Sequence, residues 1–304
     1  MMLLSFPIGL MVVFDSNIGG DINFQYPLSG IEQLGINDIE FFSDVTIGDV
    51  FVILWSVYAI FFVIAFFGPK NGFLQSLSPI LYRNEISPSS NYLVAITKWF
   101  SILIFVSAVV TFAQETFGIK TMPPSVNNDL FQFFFVTLSP IPEEIGFRSL
   151  LIGIPVFLIY SEKFSFKHFF KSLWNPANNL NFHNSNFFFI IIIITGVLFG
   201  FAHIFAGDSW SEGKFAQASI SGIILGWLYI RLGLITAIMV HWATNYFIFS
   251  YSTLISQIND ISLSESFYHP FLNTMELLFL LSGIISAAMV VCSYFISKKS
   301  ESYV

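Results

Sequence analysis

The sequence predicts an all-α fold, a multi-pass transmembrane helix bundle of about seven spans, and three observations carry that expectation. Of 304 residues, 55% are hydrophobic and only 10% charged, with 39 phenylalanines and a mean hydropathy of +0.75, far more apolar than a soluble domain of this size. Apolar runs long enough to cross a bilayer, which takes about 20 helical residues, recur along the chain. The few ionisable or strongly polar groups within the later runs, Glu143, Glu144, Arg148, His203, His241 and Asn245, are expensive in such surroundings and are therefore functional candidates.

Residues 1–48 form an acidic segment containing Asp15, Asp21, Glu32, Asp38, Glu40 and Asp44, with Asp49 just beyond. Its opening run, 1–14, is short, contains Pro7 and lacks a basic flank, so it suits an interfacial or packed segment better than a signal peptide. The bundle occupies 49–297, with apolar runs at 50–67, 92–112, a long segment ending near Tyr160, then 187–205, 215–230, 234–250 and 277–296. A short tail, 298–304, is basic and then polar. When the runs are threaded alternately, Lys70, Arg83, Lys163, Lys167, Lys171, Arg231, Lys298 and Lys299 fall on one side, against only Lys120 and Lys214 on the other. Because cytoplasmic loops carry the excess of positive charge, the chain is expected in the cell membrane with its N-terminal segment and the 207–213 loop outside and its C-terminus cytoplasmic.

The third segment, 129–160, is too long for one ordinary crossing and holds Pro140, Pro142 and Pro155, which predicts a break at Pro140/Pro142. Pro142 is expected to open a new helix with Glu143 and Glu144 in its first turn, where the helix dipole favours carboxylates.

Several classes are excluded or unsupported. Nothing in the charge pattern suggests nucleic acid. Cys292 is the only cysteine, so disulfides and cysteine-rich metal sites are ruled out, and its apolar setting suggests a packing residue. His168, His183 and His269 lie beside Lys or Asn or in a loop and suit solvated surface positions. The stretch 163–171, with lysines and phenylalanines interleaved, suits a basic interfacial segment against anionic lipid.

Three short motifs remain. In Glu143-Glu144-x-x-x-Arg148, Glu144 and Arg148 share a helix face and can pair, which leaves Glu143 free for another partner: a water, a proton or a metal. Phe199-x-x-x-His203 closes the isoleucine-rich run and places an aromatic ring on the face of the imidazole, where it would limit water. His241-x-x-x-Asn245 projects two polar groups from one face of one helix. Each has a plain structural reading as well: an ion-pair cluster, an interfacial histidine and an interhelical hydrogen-bond pair.

Taken jointly and in this order, the three motifs resemble the CAAX protease and bacteriocin-processing family of intramembrane endopeptidases, also called the ABI family or type II CAAX prenyl endopeptidases. The resemblance covers a motif core of about 140–250 and includes Ala218, Gly222 and Gly226 at four-residue spacing. It implies a bundle enclosing an intramembrane catalytic cavity, in which Glu143 and His203 activate a water and His241 and Asn245 stabilise the oxyanion. Glu144, Arg148 and Phe199 would support them. No cofactor is required by that scheme, but zinc held by Glu143, Glu144, His203 and His241 would also suit the donor types. The familiar His-Glu-x-x-His zinc helix is absent. The implied partners are the lipid bilayer and a membrane-associated or lipidated peptide or protein, with CAAX-type prenyl substrates one class. A non-catalytic interaction or immunity-type protein on the same fold and a proton-coupled transporter are the competing classes.

Overall fold

The computed structural model describes residues 1–15, 45–83, 91–121, 129–182, 187–205 and 210–301. His183 and the acidic residues Asp21, Glu32, Asp38, Glu40 and Asp44 lie outside them, as does part of the 207–213 loop. The described chain is an all-α bundle, as the apolar runs predict. In chain order its helices are α1 (Met2–Phe14), α2 (Ile47–Phe67), α3 (Phe73–Arg83), α4 (Tyr92–Thr116), α5 (Asp129–Leu138) and α6 (Pro140–Glu144). A π-helical stretch, Ile145–Gly153, follows α6 directly. The remainder are α7 (Ile154–Tyr160), α8 (Phe166–Trp174), α9 (Pro176–Asn179), α10 (Phe187–Phe205), α11 (Lys214–Leu232), α12 (Leu234–Asn259), α13 (Leu263–Ser266) and α14 (Pro270–Glu301).

Five helices, α2, α4, α10, α11 and α14, are long and apolar enough to span a membrane. Two of the seven predicted spans do not qualify for physical reasons. The third is a chain of short helical pieces. α12 carries His241, Asn245 and many hydroxyl residues because it is the central helix, with nearly every residue from Leu234 to Ala243 buried by neighbours rather than facing lipid. Such a helix needs no uniformly apolar surface.

Local signals explain the ends. Thr46 and Asp49 form a capping box at the start of α2, which gives one N-terminal acid a structural role. Gly233, at φ +89°, is the single residue between α11 and α12. A Cβ there would approach the Trp174 carbonyl to 2.8 Å, so both the conformation and the space require glycine. The apolar α1 packs along α12, with Tyr246 and Tyr251 donating their hydroxyls to the Phe6 and Met1 carbonyls at 3.1 Å each. Of the two readings for residues 1–14, the packed one describes it.

Three expectations need correction. Cys292 is exposed rather than packed, because α14 sits at the edge of the bundle and turns Leu281, Ile285 and Met289 outward as well. His168 and His269 are half-buried, the first beside the Phe157 ring at 5.8 Å and the second accepting the Phe271 N–H at 3.3 Å. The last helix also continues through Lys298 and Lys299 to Glu301, beyond the expected end at 296.

The tightest helix pair is α10 against α11, where small residues let the backbones meet. A Cβ on Gly196 would lie 2.9 Å from the Ile223 nitrogen, and one on Gly200 would lie 2.7 Å from the Phe215 carbonyl oxygen. Backbone cannot retreat as a flexible side chain can. Gly200→Val is therefore expected to cost at least about 1–3 kcal/mol through overpacking and, being one turn from His203, to lower activity as well. Denaturant melts in detergent check the first effect; an unchanged midpoint would contradict this packing.

Candidate active site

The site is built where the third segment meets α10, α11 and α12. Pro140 and Pro142 carry no N–H, so the carbonyls four residues before them lose their usual helical donors. The helix divides at Ser139 and restarts at Pro140 rather than at Pro142. Nearby, the Tyr58 hydroxyl donates to the Thr137 carbonyl at 2.8 Å. Beyond Glu144 the turn widens into the nine-residue π-helix, an arrangement that is rare and tends to mark functional sites. Its last residue, Gly153, lies against the Tyr229 hydroxyl, which itself donates to the Leu173 carbonyl at 2.9 Å.

Glu144 is fully buried and both of its oxygens are engaged. Oε2 lies 3.0 Å from Arg148 Nε, and Oε1 accepts from His241 Nδ1 at 2.8 Å. Because an ionised carboxylate only accepts, the proton in that bond belongs to His241 Nδ1. Arg148 is also buried. Its Nη2 donates to the Gly222 carbonyl at 3.4 Å, and the guanidinium lies 4.4 Å from the centre of the Phe199 ring, a cation–π distance. The expected Glu144–Arg148 pair is present, with His241 as a third member that the spacing did not indicate.

Phe199 is the hub of the apolar wall. Its ring contacts those of His203 at 4.5 Å, His241 at 5.8 Å and Phe147 at 5.0 Å. Behind His241, Trp242 is enclosed by Phe6, Tyr58, Phe62 and Tyr246. These rings keep water from the far side of the site and hold α12 in place.

Glu143 differs from its neighbour. Its side chain is 28% exposed, and its nearest ion-pair partner is His241 Nε2, at 3.8 Å from Oε2. That oxygen is buried and makes no hydrogen bond. Glu144 Oε2 lacks a hydrogen bond as well, yet the two carboxylates have different environments: Glu144 is wholly buried with Arg148 at 3.0 Å and His241 at 2.8 Å, whereas Glu143 has no ion-pair partner nearer than 3.8 Å. His203 is oriented through Nδ1, 2.8 Å from the Phe199 carbonyl oxygen, so Nδ1 carries the proton and Nε2 is free to accept. No direct hydrogen bond or ion pair joins Glu143 to His203 among the described residues. The side chain of Asn245, partly exposed, likewise makes no protein hydrogen bond among them.

The zinc set does not gather. Among the described residues no three His, Cys, Asp or Glu side chains converge as a metal site, and the donor chemistry shows why. Glu144 is occupied by Arg148 and His241, and the Arg148 charge would oppose a divalent ion beside it. No step below is derived through a metal.

Lys214 joins the site unexpectedly, since alternate threading of the spans assigned it to an outer loop. It is the first residue of α11, and its Nζ lies 4.1 Å from the centre of the Trp210 ring, whose backbone N–H donates to the His203 carbonyl at 3.1 Å. One sequence signal could have drawn attention to it: a lysine at the very start of an apolar helix, where the dipole disfavours a cation.

In comparison with known proteins, residues 126–247 match the family model described as Type II CAAX prenyl endopeptidase Rce1-like. The matched stretch contains all three motifs. No curated protein and no solved structure matched the chain.

Proposed function

We propose, from the match of residues 126–247 to the Rce1-like type II CAAX prenyl endopeptidase family model, that the chain hydrolyses a peptide bond of a membrane-held, lipidated substrate. The observation that carries the mechanism is the contrast between the paired glutamates. Glu144 is wholly buried between Arg148 and His241, while Glu143 is 28% exposed at the edge of an apolar wall and has no ion-pair partner nearer than His241 Nε2, at 3.8 Å. A general base must be uncommitted and close to its proton donor.

Glu143 takes a proton from a water that also donates to His203 Nε2. The resulting hydroxide attacks the scissile carbonyl, and the carbonyl oxygen becomes an oxyanion. Asn245 Nδ2 and the Nε2–H of an imidazolium at His241 face that charge. Glu144 stabilises the imidazolium through Nδ1–H, and with His241 charged, the set Glu143, Glu144, Arg148 and His241 sums to zero net charge. Collapse of the intermediate breaks the C–N bond, and the protonated Glu143 returns its proton to the leaving amine. Orientation follows the lysine and arginine distribution, with the C-terminus cytoplasmic.

The test uses purified protein in lipid and a membrane-anchored peptide. Cleavage is expected for the wild type and loss of cleavage for Glu143→Ala with an unchanged melting profile; full activity in that variant would sink the mechanism. Because the donors do not gather a metal, chelator treatment is expected to leave turnover within about twofold, whereas a loss restored by added zinc would overturn the metal-free route.

A further inference from the structure

We infer that the elbow between α8 and α9 is a binding site for an anionic phospholipid, with Lys171 on its phosphate and Phe166, Phe170 and Trp174 against its acyl chains. The nine residues of α8 reach only about 14 Å, too short to cross a bilayer. Yet this helix turns its largest apolar side chains away from the protein. Phe166, Phe170 and Trp174 recur every fourth residue and are 81%, 53% and 48% exposed, whereas the side packed on the bundle carries Ser172 and Leu173. Lys167 and Lys171, also four apart and exposed, lie one position further round, beside that aromatic stripe. A helix lying in a membrane interface has this pattern, with rings in the acyl boundary and ammonium groups at the level of the phosphates.

Stability does not account for the lysines. The helix dipole favours Lys171 in the last turn, but Lys167 stands in the first turn, at the positive end, with no acid in that turn. Glu162 is the only acid from 161 to 182, and it accepts from Asn181 Nδ2 at 2.9 Å. More cations gather at the same end of the bundle. The Trp174 carbonyl abuts Gly233, two residues after Arg231, and Asn175 Nδ2 donates to the Tyr92 hydroxyl at 3.1 Å. The Tyr92 N–H in turn donates to the Gly68 carbonyl at 2.8 Å, two residues before Lys70. None of Lys70, Lys163, Lys167, Lys171 and Arg231 forms a salt bridge among the described residues.

An open groove of about 540 Å³ lies in the elbow, lined by Phe170, Lys171, Trp174, Asn175 and Asn179. Its floor is fixed by hydrogen bonds. Asn179 Nδ2 donates to the Lys171 and Asn175 carbonyls at 3.0 and 2.8 Å, and the Tyr229 hydroxyl holds the Leu173 carbonyl at 2.9 Å. The Lys171 ammonium, with three donors, is the one charged group on the lining, and two aromatic side chains flank it. A phosphate answers the ammonium and acyl chains answer the rings. A soluble anion would leave the rings uncovered.

The experiment places the full chain in phosphatidylcholine bilayers containing either brominated phosphatidylglycerol or brominated phosphatidylcholine and reads quenching of tryptophan fluorescence. The Trp174 share is the difference between each protein and its Trp174→Phe counterpart. At equal mole fraction, phosphatidylglycerol is expected to occupy the site about fivefold more often, the gain that one lysine at a charged surface supplies. Lys171→Gln is expected to abolish that preference with an unchanged melting profile, Lys167→Gln to reduce it, and Lys120→Gln, in a loop on α4's other end, to leave it intact. Equal quenching by the two lipids, or a preference that survives Lys171→Gln, would overturn the site. Inorganic phosphate is expected not to relieve the quenching; relief would mark a phosphate site that requires no lipid and would also overturn it. If the lipids quench equally and soluble polyglutamate instead shifts the Trp174 emission through Lys171, the face belongs to an acidic protein and the lipid site is refuted. Every reading is of binding, so the result stands apart from whether the chain cleaves peptides.

Discussion

Glu143→Gln is expected to lower kcat by about 10²- to 10⁴-fold, the contribution typical of a positioned general base, while leaving the fold as stable as before. The two halves of that expectation have separate sources. Glutamine keeps the shape and volume of the side chain but cannot accept a proton from water at neutral pH. Stability is spared because the Glu143 Oε2 atom makes no hydrogen bond and its closest ionic neighbour, His241 Nε2, is 3.8 Å away. A fluorogenic membrane peptide reports the rate, and thermal unfolding in detergent reports the fold. KM should change little, because the lost interaction is made in the transition state. A kcat within tenfold of wild type would remove Glu143 from the role of base.

Arg148→Ala is expected to do the opposite and cost about 3–5 kcal/mol of stability, the range for stripping one partner from a buried ion pair. Glu144 is wholly buried and would keep only His241 as a partner. The variant also deletes a side chain that spans three elements, touching Glu144 beside its own helix, Phe199 on α10 and Gly222 on α11. Arg148→Lys should recover only part of the loss, since an ammonium cannot reproduce the planar guanidinium over the Phe199 ring. Pairing Arg148→Met with Glu144→Gln should be milder than Arg148→Ala alone, because no unpaired charge is left behind. Denaturant unfolding measures all three, and a cost below about 1 kcal/mol for Arg148→Ala would show that the pair is not structural.

These expectations depend on features of unequal visibility in the sequence. The bundle was legible because lipid-facing helices must be apolar along their whole length, so α2, α4, α10, α11 and α14 declare themselves by composition. The Glu144–Arg148 pair was legible from its four-residue spacing, and the close approach of α10 and α11 from Gly222 and Gly226. The bond between Glu144 and His241 was not, since it joins residues 97 apart and no periodicity encodes a contact between separate helices. Lys214 was read as a loop charge because the run of apolar residues starts one position later, at Phe215. The π-helix was hidden for a different reason: the local sequence, Ile-Gly-Phe-Arg-Ser-Leu-Leu-Ile-Gly, has nothing that distinguishes an i+5 from an i+4 pattern.

That wide turn acts as a register device for the whole site. A π-helix advances by roughly 4.4 residues per turn, so it absorbs what amounts to one extra residue relative to an α-helix of the same height. Were the same nine residues, Ile145–Gly153, to close as α-helix instead, that residue would re-enter the register without breaking the segment. Everything on its N-terminal side would then turn by about 100° against everything on its C-terminal side. Arg148 and Gly153 are fixed by Gly222 and Tyr229 on α11, so the rotation would fall on the paired glutamates. A helix that looks intact by every spectroscopic measure would then present its carboxylates to the wrong neighbours.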